Sequence, residues 1–466
     1  MIYFDMIMKP SDLKGKKITV MGLGILGGGT GVVKFLVKHG AKVLVTDLKS
    51  RRELANSLKQ LKSFRIQYVL GRHRLSDFID SDLIIKNPAV PNDSKFLKAA
   101  ARHKVPIEND ASLFFQYCPV PIIGITGTKG KSTTVALLER ILKKSGILVV
   151  LVGHNTTSVL DRIELIKPNC LALFELSSWR LEGLAKTKKS PWIAVVTNVL
   201  PDHLNTYRGM KEYQAAKKNI YRFQNSGDYV ILNKDNEITR SFGKKVPSQR
   251  YWFSLKTFSK QNGAFVKDGK IFFSSRGKVS LVANLADLKI KGDHNTHNAL
   301  AAVTVAKLLK VNNEDITSAL CSFKGMPGRL EQIRVLRGVK FYNDTAATNP
   351  AATISALRSF RQKVTLIAGG QNKGLDYFPL AQEIAKKVND LVLLPGSASN
   401  ELAKHLNYLD FSFGQNDSLA LALGAAYRKA KKGDIILFSP GAASFNLFKN
   451  EFDRGNKFKK IVNKLP

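Results

Sequence analysis

Cysteine is scarce. Cys118, Cys170 and Cys321 are the only three in 466 residues, far apart and without CxxC or Cys/His ligand spacing. Neither a disulfide framework nor a structural zinc site is expected, and a reducing compartment is implied. Long apolar runs are missing too: the longest, Ile147 to Val152, falls far short of the ~20 residues of a membrane-spanning helix. The opening MIYFDMIMKP has neither the basic start nor the small-residue cleavage site of a secretory leader. A soluble, cytoplasmic protein without membrane insertion is expected. Acidic residues are in deficit, 36 against 73 Lys and Arg, giving a net charge of +37. Such a field attracts nucleic acid, anionic membranes or multiply phosphorylated small molecules. The chain lacks a localised basic tail and aromatic–basic recognition modules, so no nucleic-acid partner is expected. The charge reads as a distributed, solvated surface.

What is present is an alternation of short β-branched runs with amphipathic stretches. KKITVMGLG, GVVKFLVKHG, AKVLVTD and SDLIIK make a first α/β unit, ending near Asp110 before the break YCPVP. PIIGITGTKGKSTTVALLERILKKSG opens a second, which continues through CLALFEL, PWIAVVTNV, a β-rich lysine-dotted stretch and the helical NTHNALAAVTVAKLL. After the turn-rich KGMPGRL, the runs VKFYNDT, VTLIAGG, DLVLLPG and DIILFSP form a third. The expected fold is therefore α/β in three domains, 1–110, 111–325 and 326–466.

The sharpest local signal is Gly124 to Thr134, GITGTKGKSTT, between a strand and a helix. Gly127, Thr128, Lys129, Gly130 and Thr133 can wrap backbone N–H groups around phosphate, Lys131 supplies a point charge, and Ser132 offers a hydroxyl to Mg²⁺. Ile125 stands where the usual phosphate-loop pattern begins with glycine, so this is a variant loop. A second glycine turn, Gly22-Leu-Gly24-Ile-Leu-Gly27, follows a strand, and Asp47 ends the next strand 20 residues beyond Gly27. That pattern suits NAD, any other pyrophosphate, or simple tight packing, and it specifies an anion rather than a reaction.

Eight segments in order then resemble the Mur ligases: GITGTKGKSTT, ELSSWRL, NVLPDHLNTY, YQAAKKNIY, KGDHNTHNALAA, PGRLE, NDTAATNP and SPGAASFNLFKNEFDRGNKF. The resemblance spans essentially the whole chain and is strongest to the branch that adds D-glutamate. It implies a Rossmann-like first domain, a P-loop ATPase-like centre and a Rossmann-like third domain. It also implies ATP-dependent joining of D-glutamate to UDP-N-acetylmuramoyl-L-alanine through an acyl-phosphate, in cytoplasmic peptidoglycan synthesis, by a monomer. ATP and two Mg²⁺ ions are the implied cofactors.

Carried over residue by residue, the resemblance implies that Lys131 and Ser132 hold phosphates and the first Mg²⁺, with Glu175 as a carboxylate ligand. Its plainer role is that of an N-cap or a hydrogen-bond partner of Ser177 and Ser178. His203 is the implied neighbour of the second ion, and Lys217 matches a lysine that is carbamylated; read alone, Lys217 suits a solvated basic helix face. Asn298, assisted by Asn295, is the implied adenine contact, its plainer role being helix capping. Arg329 is implied at phosphate and Asp344 at ribose, completed by closure of hinged domains. Thr348, Lys373 and Ser444 are implied for the amino acid; Gly24, Ile25, Leu26, Asp47, Lys49 and Asn155 for the UDP substrate.

The chain departs from the D-glutamate pattern at Ala346 (often Lys), Gly328 (His), Thr206 (a nearby Arg) and Glu451 (an aromatic), with Phe452 or Arg208 as candidate substitutes. These positions bear on the acceptor more than on ATP. A sister ligase with another amino acid, a folylpolyglutamate synthase-like enzyme and an NAD-dependent oxidoreductase are the alternatives. The extra glycine-turn domain argues against the second, and the unexplained GTKGKST against the third.

Overall fold

The computed structural model describes residues 10–25, 27–88, 90–153, 158–202, 207–290, 292–372, 374–444 and 447–466. Packing divides the chain into two compact units, Met1–Leu288 with Asp293–Ser322, and Lys289–Gly292 with Phe323–Pro466. Among the described residues, no helix is long and apolar enough to cross a membrane.

The first unit contains two sheets. One is five-stranded and parallel, in spatial order Gln67–Leu70, Lys42–Asp47, Lys17–Met21, Leu83–Lys86, Ile107–Glu108. The chain builds outward from Lys17–Met21 to one side and then returns to its other side at Leu83–Lys86. That reversal opens a crevice beyond the carboxyl ends of the two strands, where open α/β sheets bind ligands. The other sheet has nine strands, with Ile122–Thr126 paired in parallel to Ile193–Val196 on one side and Leu171–Glu175 on the other. Its far edge, from Gly263–Lys267 to Lys278–Asn284, is antiparallel. Central strands such as IIGIT and IAVV are buried at every position, as parallel strands covered on both faces must be.

One apolar cluster runs through both sheets of this unit, from Leu36 and Val45 to Phe114, Phe174 and Val196. Side chains lock the join. Asn109 caps the helix Asp110–Tyr117 in a capping box with Ser112, and Arg180 pairs with Asp110 at 3.0 Å while donating to the Gly153 carbonyl at 3.3 Å. On the helix Gly28–Lys38, Gly31 lies so close to the chain that a Cβ there would fall 2.0 Å from Ser158 Cβ.

The second unit is a six-stranded sheet, parallel except for the pair Glu331–Leu336 and Val339–Asn343. Alternate residues serve two cores. Leu366, Leu391, Leu393, Ile435 and Leu437 join one, whereas Ile367, Val392, Leu394, Ile436 and Phe438 join the other. Helices on both faces therefore explain why VTLIAGG and DIILF read as unbroken apolar runs.

Gly31→Ala should destabilise the chain by about 1–3 kcal/mol through overpacking. Gly28→Ala on the same helix, where an added Cβ meets nothing within 4 Å, should be nearly neutral; urea unfolding of both variants tests the contrast.

Candidate functional site

Register builds the main site. Ile125 pairs with Glu175, and Thr126 pairs with Val196. Glu175 therefore ends its strand beside the start of the glycine loop, and Thr197 and Asn198 emerge on the other side. Gly127 has φ +153°, and a Cβ on it would lie 1.8 Å from Thr197 Oγ1. Asn198 accepts from Lys129 N–H at 2.9 Å through Oδ1 and donates to the Lys129 carbonyl at 3.1 Å. Thr197 also donates to that carbonyl, at 2.6 Å. The loop shape is thus fixed from the neighbouring strand.

Gly130, left-handed at φ +86°, caps the helix Lys131–Lys144, with no side chain hydrogen-bonded to its first amides. Six other helices are capped by the side chains of Asn109, Ser177, Asn236, Asn349, Ser418 and Asn450, whereas those that follow Gly27, Gly209 and Gly396 begin, like this one, on a glycine without a side-chain cap. A glycine start leaves the positive end of the helix to an anion. Lys131 Nζ donates to the loop carbonyls of Gly127 and Thr128 at 2.9 and 3.1 Å, and Ser132 Oγ donates to Glu175 Oε1 at 2.9 Å. Glu175 thus bonds Ser132 across the site, in addition to any local role.

Lys217, on the helix Met210–Arg222, is 1% exposed, which overturns the solvated-face reading. Its ammonium lies 4.7 Å from the Tyr213 ring centroid, and Tyr213 Oη is 3.1 Å from Thr128 Oγ1. Burial, reinforced by the like charge of Lys131 and only partly opposed by Asp202, holds the Lys217 amine well below the usual lysine range. His203 and Thr206 lie outside the described residues. The Ser132 hydroxyl and Glu175 carboxylate are hard oxygen donors suited to Mg²⁺. Among the described residues no three His, Cys, Asp or Glu side chains form a metal cluster. Magnesium commonly completes its shell with phosphate and water oxygens beside one or two such protein ligands.

Asn298 is buried within the helix Asp293–Leu308 and accepts from Thr134 Oγ1 at 3.3 Å. A Cβ on Gly130 would meet Asn298 Oδ1 at 2.3 Å, so Asn298 braces the underside of the phosphate loop. Asn295, one turn earlier in this helix, is half-buried.

At the first sheet, Asp47 accepts from Gly24 N–H at 3.0 Å and Lys49 N–H at 2.9 Å, so one carboxylate ties the glycine turn to the neighbouring strand end. Ile25 is 59% exposed at the tip. Leu26 and Asn155 lie outside the described residues. Asn87 was missed by the sequence reading: its amide donates to the Gly22 carbonyl at 3.1 Å, and a Cβ on Gly22 would meet it at 3.0 Å. Its only local signal was an Asn-Pro pair ending a strand.

In the second unit, Asp344 and Ser439 follow adjacent parallel strands, and Ser439 donates to Asp344 at 2.7 Å. Leu330 N–H donates to the other Asp344 oxygen at 3.1 Å. Burial pushes the Asp344 carboxyl up to about 7, with these hydrogen bonds and the charges of Arg329 and Arg454 pulling it back. Arg329 is exposed, Ser444 buried and Thr348 half-buried. Lys373 lies outside the described residues. The structure thus gathers Lys131, Ser132, Glu175, Lys217 and Asn298 around one loop, Gly24, Asp47 and Lys49 around another, and Arg329 and Asp344 in the second unit.

Residues 16–109 match the Mur ligase MurD-like N-terminal domain, 125–306 the Mur ligase middle domain and 328–441 the Mur ligase glutamate ligase domain. The UDP-N-acetylmuramoylalanine–D-glutamate ligase of Roseiflexus sp. (strain RS-1) is 40% identical over 465 residues, spanning 97% of this chain and 99% of that one. The protein of the same name from Acetivibrio thermocellus is 37% identical over 460 residues, spanning 97% of each. Among solved structures, UDP-N-acetylmuramate-alanine ligase MurC from Thermotoga maritima has a TM-score of 0.59 at 20% identity, covering 96% of this chain and 99% of that one. Pseudomurein peptide ligase type C from Methanothermus fervidus gives 0.57 at 22%, covering 97% and 100%. These two share the fold. With near-complete coverage by relatives at this identity and the glycine loop, Ser132 and Glu175 in one cradle, the chain belongs to the Mur ligase family.

Proposed function

We propose that this protein is an ATP-dependent ligase that joins UDP-N-acetylmuramoyl-L-alanine to D-glutamate in a cytoplasmic step of peptidoglycan synthesis. The observation that carries the chemistry is the cradle itself: a glycine-capped helix start with Lys131 on its loop and Ser132 bonded to Glu175. The substrates follow from the full-length relatives, named for D-glutamate ligation at 34–40% identity.

In this reading Gly127 to Thr133 hold the ATP phosphates and Asn298 and Asn295 the base, with Arg329 and Asp344 as further nucleotide contacts. Ser132, Glu175, His203 and Lys217 form the magnesium site; when bound, magnesium would neutralise charge on the phosphates. Gly24, Ile25, Leu26, Asp47, Lys49 and Asn155 serve the UDP substrate, and Thr348, Lys373 and Ser444 the amino acid. Residues 1–110, 111–325 and 326–466 are the corresponding domains. A substrate carboxylate oxygen attacks the γ-phosphorus and the bond to ADP breaks, giving an acyl-phosphate. The D-glutamate nitrogen then attacks the acyl carbon, orthophosphate leaves and the nitrogen loses a proton. Both steps call for charge neutralisation and alignment rather than a protein nucleophile.

Lys217 fits carbamylation because only a neutral amine attacks CO₂, forming an N–C bond and releasing a proton; its burial favours that neutral form. Departures at Gly328, Ala346 and Glu451 favour a test of acceptor choice, since Ala346 N–H donates to the Gly328 carbonyl at 2.9 Å and Thr345 Oγ1 to the Glu451 carbonyl at 2.9 Å. They border one loop.

Lys131→Ala should lower ADP release with UDP-N-acetylmuramoyl-L-alanine and D-glutamate by about a thousandfold or more while circular dichroism is unchanged. Full activity would refute the cradle, and product mass from an amino-acid mixture identifies the acceptor.

Lys217→Met should abolish ligation yet raise the unfolding midpoint at pH 7. Burial makes the charged amine less favourable in the folded chain than in the unfolded one, where it is charged below 10.5. Its stability contribution therefore falls as the pH drops below 10.5, and methionine removes that cost.

Asp344 has the opposite dependence. The folded chain keeps its proton up to about pH 7, against an ordinary 3.8, so stability falls as the pH rises between those values, by up to about 1.4 kcal/mol per pH unit. The unfolding midpoint of Asp344→Asn relative to the parent should accordingly climb from pH 4.5 to 7.5 and level off above 8; a flat difference would contradict the assignment.

A further inference from the structure

Arg454 is the largest fully buried side chain among the described residues, 0% exposed, in the first turn of the helix Glu451–Lys464. Its guanidinium donates three hydrogen bonds to neutral oxygens: Nε to Thr345 Oγ1 at 3.1 Å, Nη2 to the Thr345 carbonyl at 2.8 Å and Nη1 to the Ala442 carbonyl at 3.0 Å. A buried cation held by neutral acceptors is a costly way to stabilise a core, where an apolar side chain of similar volume serves as well or better. Burial lowers its pKa to about 10 despite the opposing charges of Glu451 and Asp344.

The three bonds connect two separate segments. Thr345 follows the strand Val339–Asn343, in the stretch that carries Asp344 and Thr348; Ala442 follows the neighbouring strand Ile435–Phe438, in the stretch that carries Ser439 and Ser444. Thr345 is also confined from two other sides. A Cβ on Gly455 would lie 2.5 Å from Thr345 Cγ2, and one on Gly328 would lie 2.7 Å from it. The Thr345 hydroxyl accepts from Arg454 and donates to the Glu451 carbonyl.

We propose that Arg454 is a positioning residue, a fork that fixes the 344–348 and 439–444 segments relative to each other so that their side chains are preset for the amino-acid and nucleotide substrates. This rests on the functional reading above. A lysine cannot reproduce the fork, since one ammonium on a flexible stem lacks the planar, divergent donors that reach both segments. The geometric demand is stringent, because small misplacement of binding groups costs rate steeply.

Hydrogen exchange and steady-state kinetics on the full chain test this with Arg454→Lys and with Thr345→Val, which removes one of the three bonds together with the hydroxyl's bond to the Glu451 carbonyl. In Arg454→Lys, amides of residues 345–348 and 441–444 should exchange about tenfold faster while the rest of the second unit stays within about twofold. KM for D-glutamate should rise about tenfold, with KM for the UDP substrate little changed. Thr345→Val should show the same pattern with smaller amplitude, and it decides the matter if the lysine variant fails to fold. Unchanged protection in these segments, or a uniform loss across residues 323–466 matching a lower unfolding midpoint, overturns the proposal. A parent protein that does not ligate D-glutamate overturns the functional reading, and exchange still decides whether the fork exists. Ligation by the parent with an unaltered D-glutamate KM in a folded Arg454→Lys variant overturns the positioning role alone.

Discussion

The parallel register of Ile122–Thr126 with its two neighbours is the constraint on which the candidate site depends. Because Ile125 lies opposite Glu175 and Thr126 opposite Val196, the glycine loop, the carboxylate and the Thr197–Asn198 brace leave the sheet at one edge. A one-residue slip would turn each strand's side chains to the opposite face and separate Ser132 from Glu175. The apolar runs are therefore as necessary to the chemistry as the polar loop between them. The same device recurs in the other sheets, where Gly22 and Asn87, then Asp344 and Ser439, follow the carboxyl ends of adjacent parallel strands. Three sheets deliver polar groups by one topological rule.

Within this frame three of the buried ionisable groups are ones that stability alone does not call for. Lys217 is 1% exposed, Asp344 7% and Arg454 0%. Each is held away from its ordinary proton affinity chiefly by burial. They differ in what compensates. Arg454 has three hydrogen bonds and Asp344 accepts two, whereas Lys217 lies over the Tyr213 ring with the charge of Lys131 adding to the effect of burial and only that of Asp202 opposing it. The least compensated of the three is Lys217, on the helix that packs beside the phosphate loop. That placement is expected where activity is retained at the expense of stability.

How much of this was legible in the sequence follows from distance along the chain. Gly127, Gly130, Lys131 and Ser132 lie within six residues, and local spacing was enough to read a phosphate loop from them. The strands were legible because burial on both faces writes itself as runs such as VTLIAGG. Asp47 was correctly placed at a strand end, but its carboxylate turned out to tie down the Gly24 turn. Asn87 meets Gly22 across 65 residues of sequence, and no local pattern announces such a contact. Lys217 was ambiguous for a related reason: YQAAKKNIY has two adjacent lysines, and only packing decides that one is buried while Lys218 is exposed. Arg454 sat inside a motif that was recognised, yet its partners at Thr345 and Ala442 depend on how two strand ends and a helix meet.

The departures from the D-glutamate pattern also change meaning once they are seen in space. As separate letters, Gly328, Ala346 and Glu451 look like independent losses of a ring, an ammonium and an aromatic contact. In the fold they border one residue, Thr345. Gly328 has φ +72°, and any Cβ there would press to 2.7 Å from Thr345 Cγ2; Ala346 hangs from the Gly328 carbonyl, and Glu451 accepts the Thr345 hydroxyl through its backbone. A histidine at 328 would require both a different backbone conformation and a displaced Thr345, and displacing Thr345 would strain the fork that Arg454 makes with it. The three positions are thus coupled through one side chain. The cost of changing one is transmitted by contact to the others, so this region packs as one unit around Thr345 rather than as an accumulation of separate defects.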